Sequence, residues 1–237
     1  MHTNQRRSWL ELDEHEIGRP HARMKNPLYP VDQQGNVVGL ETLAWELYDY
    51  YQVAVNTPVT RQALFTISEG QQYTAAGGLP FSKTVLHTNM QGQGAVLPNP
   101  QRFMTKALRR VFRPDTNILD AVAFDYRTVF TFRVGDSHKE YAKGLLAGVP
   151  SASGFTGIGG PAANALLLTS GWPINSNLYS LLADSTDPGV EILQGQNFDV
   201  VIDPTQDPVG VYTTQQAPSI GIINWFYLVG ALTRSVQ

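Results

Sequence analysis

The chain of 237 residues carries 21 glycines and 15 prolines. Both residue types interrupt regular structure. Spread along the whole length, they cut the sequence into short segments, which favours strands joined by turns over a helical bundle. The clearest strand is Thr128-Val129-Phe130-Thr131-Phe132-Arg133-Val134, rich in β-branched and aromatic residues. Gly135-Asp136 turns it, and residues 138–146 return as the second arm of a hairpin. Ala63-Leu64-Phe65-Thr66-Ile67-Ser68 alternates with period two and ends at Glu69-Gly70. Residues 196–202 and 220–232 read as two further strong strands, and 177–182 and 84–87 as short ones. Residues 70–100 and 148–165 otherwise read as loops. No repeat of 20 to 50 residues is visible, which argues against a solenoid or propeller.

Two segments carry a helical rhythm instead. Leu40, Leu43, Ala44, Leu47, Tyr50 and Tyr51 share one helical face, which predicts a helix over residues 40–51. Phe103, Met104, Ala107, Leu108, Val111 and Phe112 recur at helical spacing, with Arg102, Lys106, Arg109 and Arg113 opposite them. Asn99 as cap, Pro100 in the first turn and Pro114 beyond the end suit a helix there. Residues 1–35 are polar, with Pro20, Pro27 and Pro30, and predict an extended arm. The expected division is therefore an arm with a short helix over 1–58 and a β domain of about eight strands over 59–237.

Charged residues make up 16% of the chain against 42% apolar, below the roughly 25% charge of an ordinary domain. Neutral surface of that kind suits contact with partners. A net charge of −3 gives the whole molecule no electrostatic grip on nucleic acid. With no cysteine, thiol nucleophiles, disulfides and Cys-based zinc sites are excluded. The polar residues 1–7, with no apolar run after them, predict no signal peptide. No apolar run approaches the ~18 residues of a spanning helix.

His15 and His21 lie six apart beside Glu14 and Glu16, with Gly18 and Pro20 between them, which suits a solvated arm better than zinc. A cupin-type metal site needs histidines on neighbouring strands with a carboxylate nearby; His87 and His138 are the sole candidates, and a surface or core-rim role suits each better. Gly157-Ile158-Gly159-Gly160-Pro161-Ala162 follows loop residues and not a strand, so it reads as a flexible loop and not a dinucleotide fingerprint. Asp184 with Asp187 and Asp203 with Asp207 sit beside prolines and read as turn residues. No catalytic residue, metal ligand or cofactor site is expected. The basic run Arg102, Lys106, Arg109, Arg110, Arg113 is a candidate phosphate-contacting patch, for genome or lipid headgroups. Its rival reading is a solvated face or a strip of intersubunit ion pairs.

Thr88-Asn89-Met90, Leu97-Pro98-Asn99-Pro100-Gln101-Arg102-Phe103 and Phe132-Arg133-Val134-Gly135-Asp136 resemble single jelly-roll major capsid proteins of tailless icosahedral bacterial viruses. So do residues 141–146 and the closing Arg234-Ser235-Val236-Gln237. The resemblance spans about residues 60–237. It implies a jelly-roll sandwich, a coat protein that self-assembles, an N-terminal arm reaching a neighbour, and a location in the virion after assembly in the host cytoplasm. It also implies that residues 101–113 form a strand, against their helical pattern. The partners expected are copies of the chain, other virion proteins, and an internal membrane or the genome, with no small-molecule substrate. Trp9, Leu10, Trp45 and Tyr50 are the candidate interface residues, and Trp172 and Trp225 are expected at core or interface centres. The rivals are a carbohydrate-binding or adhesin-type jelly roll and a cupin- or glycosidase-type enzyme. Deleting residues 1–35 is expected to leave a folded subunit that no longer assembles; electron microscopy of the truncated protein checks this, and intact particles would refute the arm's role.

Overall fold

The computed structural model describes residues 39–113, 116–150, 179–182, 187–216 and 220–235. Among them the chain is mainly β. In order come β1 (Leu40–Val53), β2 (Gln62–Leu64), β3 (Gln72–Thr74), β4 (Pro80–Ser82), β5 (Arg102–Phe112), α1 (Ile118–Arg127), β6 (Val129–Val134) and β7 (Lys139–Leu145). Then follow β8 (Tyr179–Ser180), β9 (Val190–Ile192), β10 (Phe198–Asp203) and β11 (Ile222–Ser235). One sheet runs β1-β11-β5-β8, with β9 also on β5; a second runs β2-β10-β6-β7; β3 and β4 form a small hairpin. The main body is Thr42–Thr233. A separate unit contains Glu41 and Arg234, whose Nε donates to Glu41 Oε1 at 2.6 Å.

Side chains from both large sheets fill one core, including Leu47 and Tyr51 of β1, Phe103 and Leu108 of β5, Phe130 and Phe132 of β6, Val200 of β10 and Phe226 of β11. The hairpin of β6 and β7 forms where the sequence places it, with antiparallel pairing from Val129↔Leu145 to Val134↔Lys139. Gly135 takes φ +88° in its turn, a conformation most side chains resist. The strands expected over 196–202 and 220–232 are β10 and β11, and β8 falls inside 177–182. The N-terminal arm, Trp9, Leu10, Trp172 and most of the 148–165 loop lie outside the described residues.

Both expected helices are strands. In β5 the burial phase explains the error. Phe103, Thr105 and Ala107 are buried, and then Leu108, Arg110 and Phe112. Thr105 pairs with Gly230 and Ala107 with Val229, so Lys106 is left over as a β-bulge. One extra residue reverses which side chains face inward. A period-two pattern with one slip puts apolar residues at helix-like intervals. Gly230 sits opposite the bulge, where a Cβ would overlap the Met104 carbonyl oxygen. In β1 the cause is two-sided burial: Leu47, Tyr51 and Val53 enter the main core, while Tyr50 enters a second cluster with Tyr73, Ala75 and Ile223. A strand buried on both faces loses its alternation.

Residues expected as loop and short strand between 70 and 100 build this second layer. β3 and β4 pair over Gln72↔Ser82 to Thr74↔Pro80. Residues 84–87, expected as strand, form a turn in which His87 N–H donates to Thr84 O at 2.8 Å. The strand expected over 63–68 stops at Leu64, because Phe65 turns at φ +69° and gives its N–H to Asp49 Oδ2 at 2.5 Å. Asp49 is buried and meets the buried Lys83 Nζ at 2.5 Å. Burial pushes the Asp49 carboxyl up, against the opposing pull of Lys83. Lys83→Met is expected to cost about 3–5 kcal/mol, because it leaves a buried carboxylate without its partner. Asp49→Asn combined with Lys83→Met should recover part of that loss in urea unfolding.

Candidate interaction surface

Helix α1 follows β5 and is built to bury one face. Asn117 caps it by accepting the Leu119 N–H at 2.8 Å. Ala121 and Phe124 enter the core. Each charged side chain of the helix is drawn to the protein. Asp120 is buried and accepts from Tyr212 OH at 2.7 Å and from Gln215 N–H at 2.8 Å. Asp125 accepts from Arg110 Nη2 at 2.6 Å. Arg127 pairs with Asp207 and donates to Gly210 O at 2.8 Å. The opposite face is left to Leu119, Val122 and Tyr126, which are 58%, 44% and 67% exposed. Spacings of three and four residues align them in one uncharged stripe.

Trp45 on β1 is exposed. Tyr50 is buried within the chain, packed against Tyr73, Phe81, His87 and Trp225. Burial pushes its hydroxyl up to about 12. Trp225 belongs to the same cluster and donates Nε1–H to Leu86 O at 2.8 Å.

The bulge divides the basic run. Arg110 turns inward, where its Nε donates to Val149 O at 2.8 Å and its guanidinium meets Asp125 and the Phe112 ring. Arg109 makes a two-pronged contact with Glu46, at 3.0 and 2.5 Å, and lies over the Tyr227 ring at 3.8 Å. Arg102 faces Glu191 at 3.6 Å. Lys106 and Arg113 are exposed. The run is thus one side chain inside the protein and four on the outer face, with Arg102 and Arg109 of those four facing carboxylates of the same chain.

The outer face of the second sheet carries a polar groove of about 250 Å³ lined by Arg61, Thr131, Arg133, Glu140, Lys143 and Asp203, among others. Its charges are internally matched: Arg133 grips Asp199 at 2.8 and 2.5 Å, Arg61 faces Asp203 at 3.8 Å and Lys143 faces Glu140 at 3.7 Å. None of its lining residues is aromatic, so it lacks a stacking platform for a sugar ring. Among the described residues no three His, Asp or Glu side chains converge on a metal position, and no helix is long and apolar enough to cross a membrane. Asp203 and Asp207 act as turn residues, accepting from Thr205 N–H and Val209 N–H at 2.9 Å each. No family model matches the sequence, and comparison with curated proteins finds no match.

The α1 stripe escaped the sequence reading, although Asn117 followed by apolar Leu119, Val122 and Tyr126 at helical intervals was available as a signal. His87 in the outer cluster has a measurable consequence. Its imidazole is held below 6.5, first by burial and second by Lys83, with Asp49 pulling the other way. Tyr50, Phe81 and the Thr84 hydroxyl are its other neighbours. The unfolded chain therefore takes up a proton that the folded one resists, and stability falls as the pH drops below about 6.5. His87→Gln is expected to remove this component, seen as a smaller drop in the urea midpoint between about pH 7.5 and 5.5 than in the wild type.

Proposed function

We propose that this chain is a viral coat protein of the single jelly-roll type that assembles with copies of itself into an icosahedral shell. The fold part of the reading is supported by strand order. Counting β8 and β9 as one interrupted strand on β5, the two large sheets hold eight strands, in the orders β1-β11-β5-β8/β9 and β2-β10-β6-β7. Numbered along the chain, these orders are first-eighth-third-sixth and second-seventh-fourth-fifth. Each neighbouring pair but one sits in the opposite sheet from its sequence neighbour, as rolling one long hairpin around a barrel produces. The one exception is the β6–β7 hairpin.

The single observation that carries self-assembly is the α1 stripe. The helix spends its three charged side chains on internal contacts and presents Leu119, Val122 and Tyr126 to the outside. Apolar side chains aligned on one exposed face mark an interaction surface. The work of the protein is geometric: a rigid body offers fixed faces to symmetry-related copies, with no catalytic step and no cofactor. Other virion proteins and an internal membrane or the genome are the further partners. For the last contact the exposed Lys106 is the candidate within the basic run. The protein then resides in the virion after assembly in the host cytoplasm.

Burying Leu119, Val122 and Tyr126 at a contact stabilises it by about 1.5–3 kcal/mol per large side chain. Replacing all three by Ser is therefore expected to weaken assembly by far more than tenfold, with the circular dichroism of the subunit unchanged. Size-exclusion chromatography with light scattering checks this. A wild-type protein that stays monomeric at every concentration would refute the assembly reading.

A further inference from the structure

Strand β1 lies at the edge of its sheet, with β11 on its inner side. Backbone groups pointing outward belong to even-numbered residues, and toward its C-terminal end the fold satisfies them one by one. Tyr48 N–H donates to Asn89 Oδ1 at 2.9 Å, and Tyr48 O accepts from Thr88 Oγ1 at 3.0 Å. Gln52 N–H donates to Tyr73 OH at 3.3 Å and Ala54 N–H to Ala76 O at 2.9 Å. Asn89 Nδ2 reaches as far as Glu46 O, at 2.7 Å. The covering ends there. Among the described residues nothing pairs with the outward N–H groups of Thr42, Ala44 and Glu46, or with the outward carbonyls of Thr42 and Ala44. This open stretch has no proline, and Trp45 beside it is 42% exposed. An edge that the described residues leave uncovered is a template for another strand.

We propose that residues 42–46 of β1 pair antiparallel with the same residues of a second copy, about a two-fold axis at Ala44. The choice of a second copy rests on what this register brings together. Ala44 faces Ala44 of the copy, so small side chains meet at the axis. Thr42 faces Glu46, so no like charges oppose each other, and Glu46 is already held by Arg109 on its own subunit. Leu43 faces Trp45 across a non-hydrogen-bonded pair, where side chains lie closest. Both are odd-numbered, as are Leu47, Tyr51 and Val53 of the main core, so the pair extends the inner face of the sheet into the copy. Two bonds between the Ala44 residues and two from Glu46 N–H to Thr42 O complete the ladder. Asn89 marks where it must stop.

This contact rests on the self-assembly reading, and its test separates the two. The first measurement is hydrogen exchange on the full-length wild type, assembled and diluted. The amides of Ala44 and Glu46 are expected to exchange at least about tenfold more slowly in the assembled protein. The second is Ala44→Pro, which removes an outward N–H, a place where an edge strand tolerates proline, and asks for extended backbone at Leu43 and a φ of about −65° at residue 44 itself. It is expected to keep the subunit's circular dichroism and weaken assembly about tenfold or more by light scattering. Assemblies whose Ala44 and Glu46 amides exchange as fast as in the diluted protein overturn the edge pairing and leave self-assembly standing. A wild type that never assembles overturns both. If Ala44→Pro does not fold, the exchange rates of the wild type decide alone.

Discussion

The buried pair of Asp49 and Lys83 is the contact around which one side of the molecule is organised. Asp49 sits in β1, an edge strand, and Lys83 follows β4 in the hairpin layer. Their 2.5 Å contact fixes that layer onto the sheet, and the Phe65 N–H bound to the same carboxylate ends β2. Lys83 also lies 4.9 Å from the Tyr73 ring, which packs against Tyr50. Two charges taken out of water are costly unless each is well matched. Here the pair specifies a position more than it adds stability. With the hairpin layer in place, Thr88 and Asn89 cover the edge of β1 up to Glu46, and Trp225 holds the 84–87 turn.

A second inward cation does similar work across the molecule. The Lys106 bulge turns Arg110 toward the core, where it joins β5 to α1 through Asp125 and to the segment after β7 through Val149. Helix α1 is thereby fixed from beneath by Arg110 and from its ends by Asp120 and Arg127. Its apolar outer stripe is then a consequence of construction, since the charged side chains that would have kept it in water are committed elsewhere. The internal matching of charges on the polar groove has the opposite effect, leaving that face a solvated surface. The two faces thus differ in what they offer a partner.

Class and many strand positions were legible in the sequence because glycine, proline and period-two alternation act locally. Val129 to Val134 with its return strand, and the strands near 198 and 222, needed no knowledge of distant residues. The failures have tertiary causes. Residues 40–51 and 102–112 look helical because one is buried on both faces and the other contains a bulge, and neither event is local. The same bulge decided the fate of the basic run: nothing in Arg109-Arg110 says that the second will be buried beside Asp125 while the first lies on Tyr227. Tyr50 read as a candidate interface residue, whereas its ring is enclosed by residues 73, 81 and 225 of the same chain, which its local sequence does not reveal. The α1 stripe was the reverse case, a local pattern that the short segment between two stronger strands concealed.

The central claim is that the exposed apolar stripe of α1 is where copies of this chain meet within a shell of jelly-roll subunits. The measurement that tests it most directly is a cryo-electron microscopy reconstruction of the purified, assembled protein, at a resolution that separates strands. The account predicts closed particles of regular symmetry. It predicts sheets in the order described and Leu119, Val122 and Tyr126 covered by a neighbouring subunit. Particles in which the stripe faces solvent, or a protein that yields no particles at all, would contradict it.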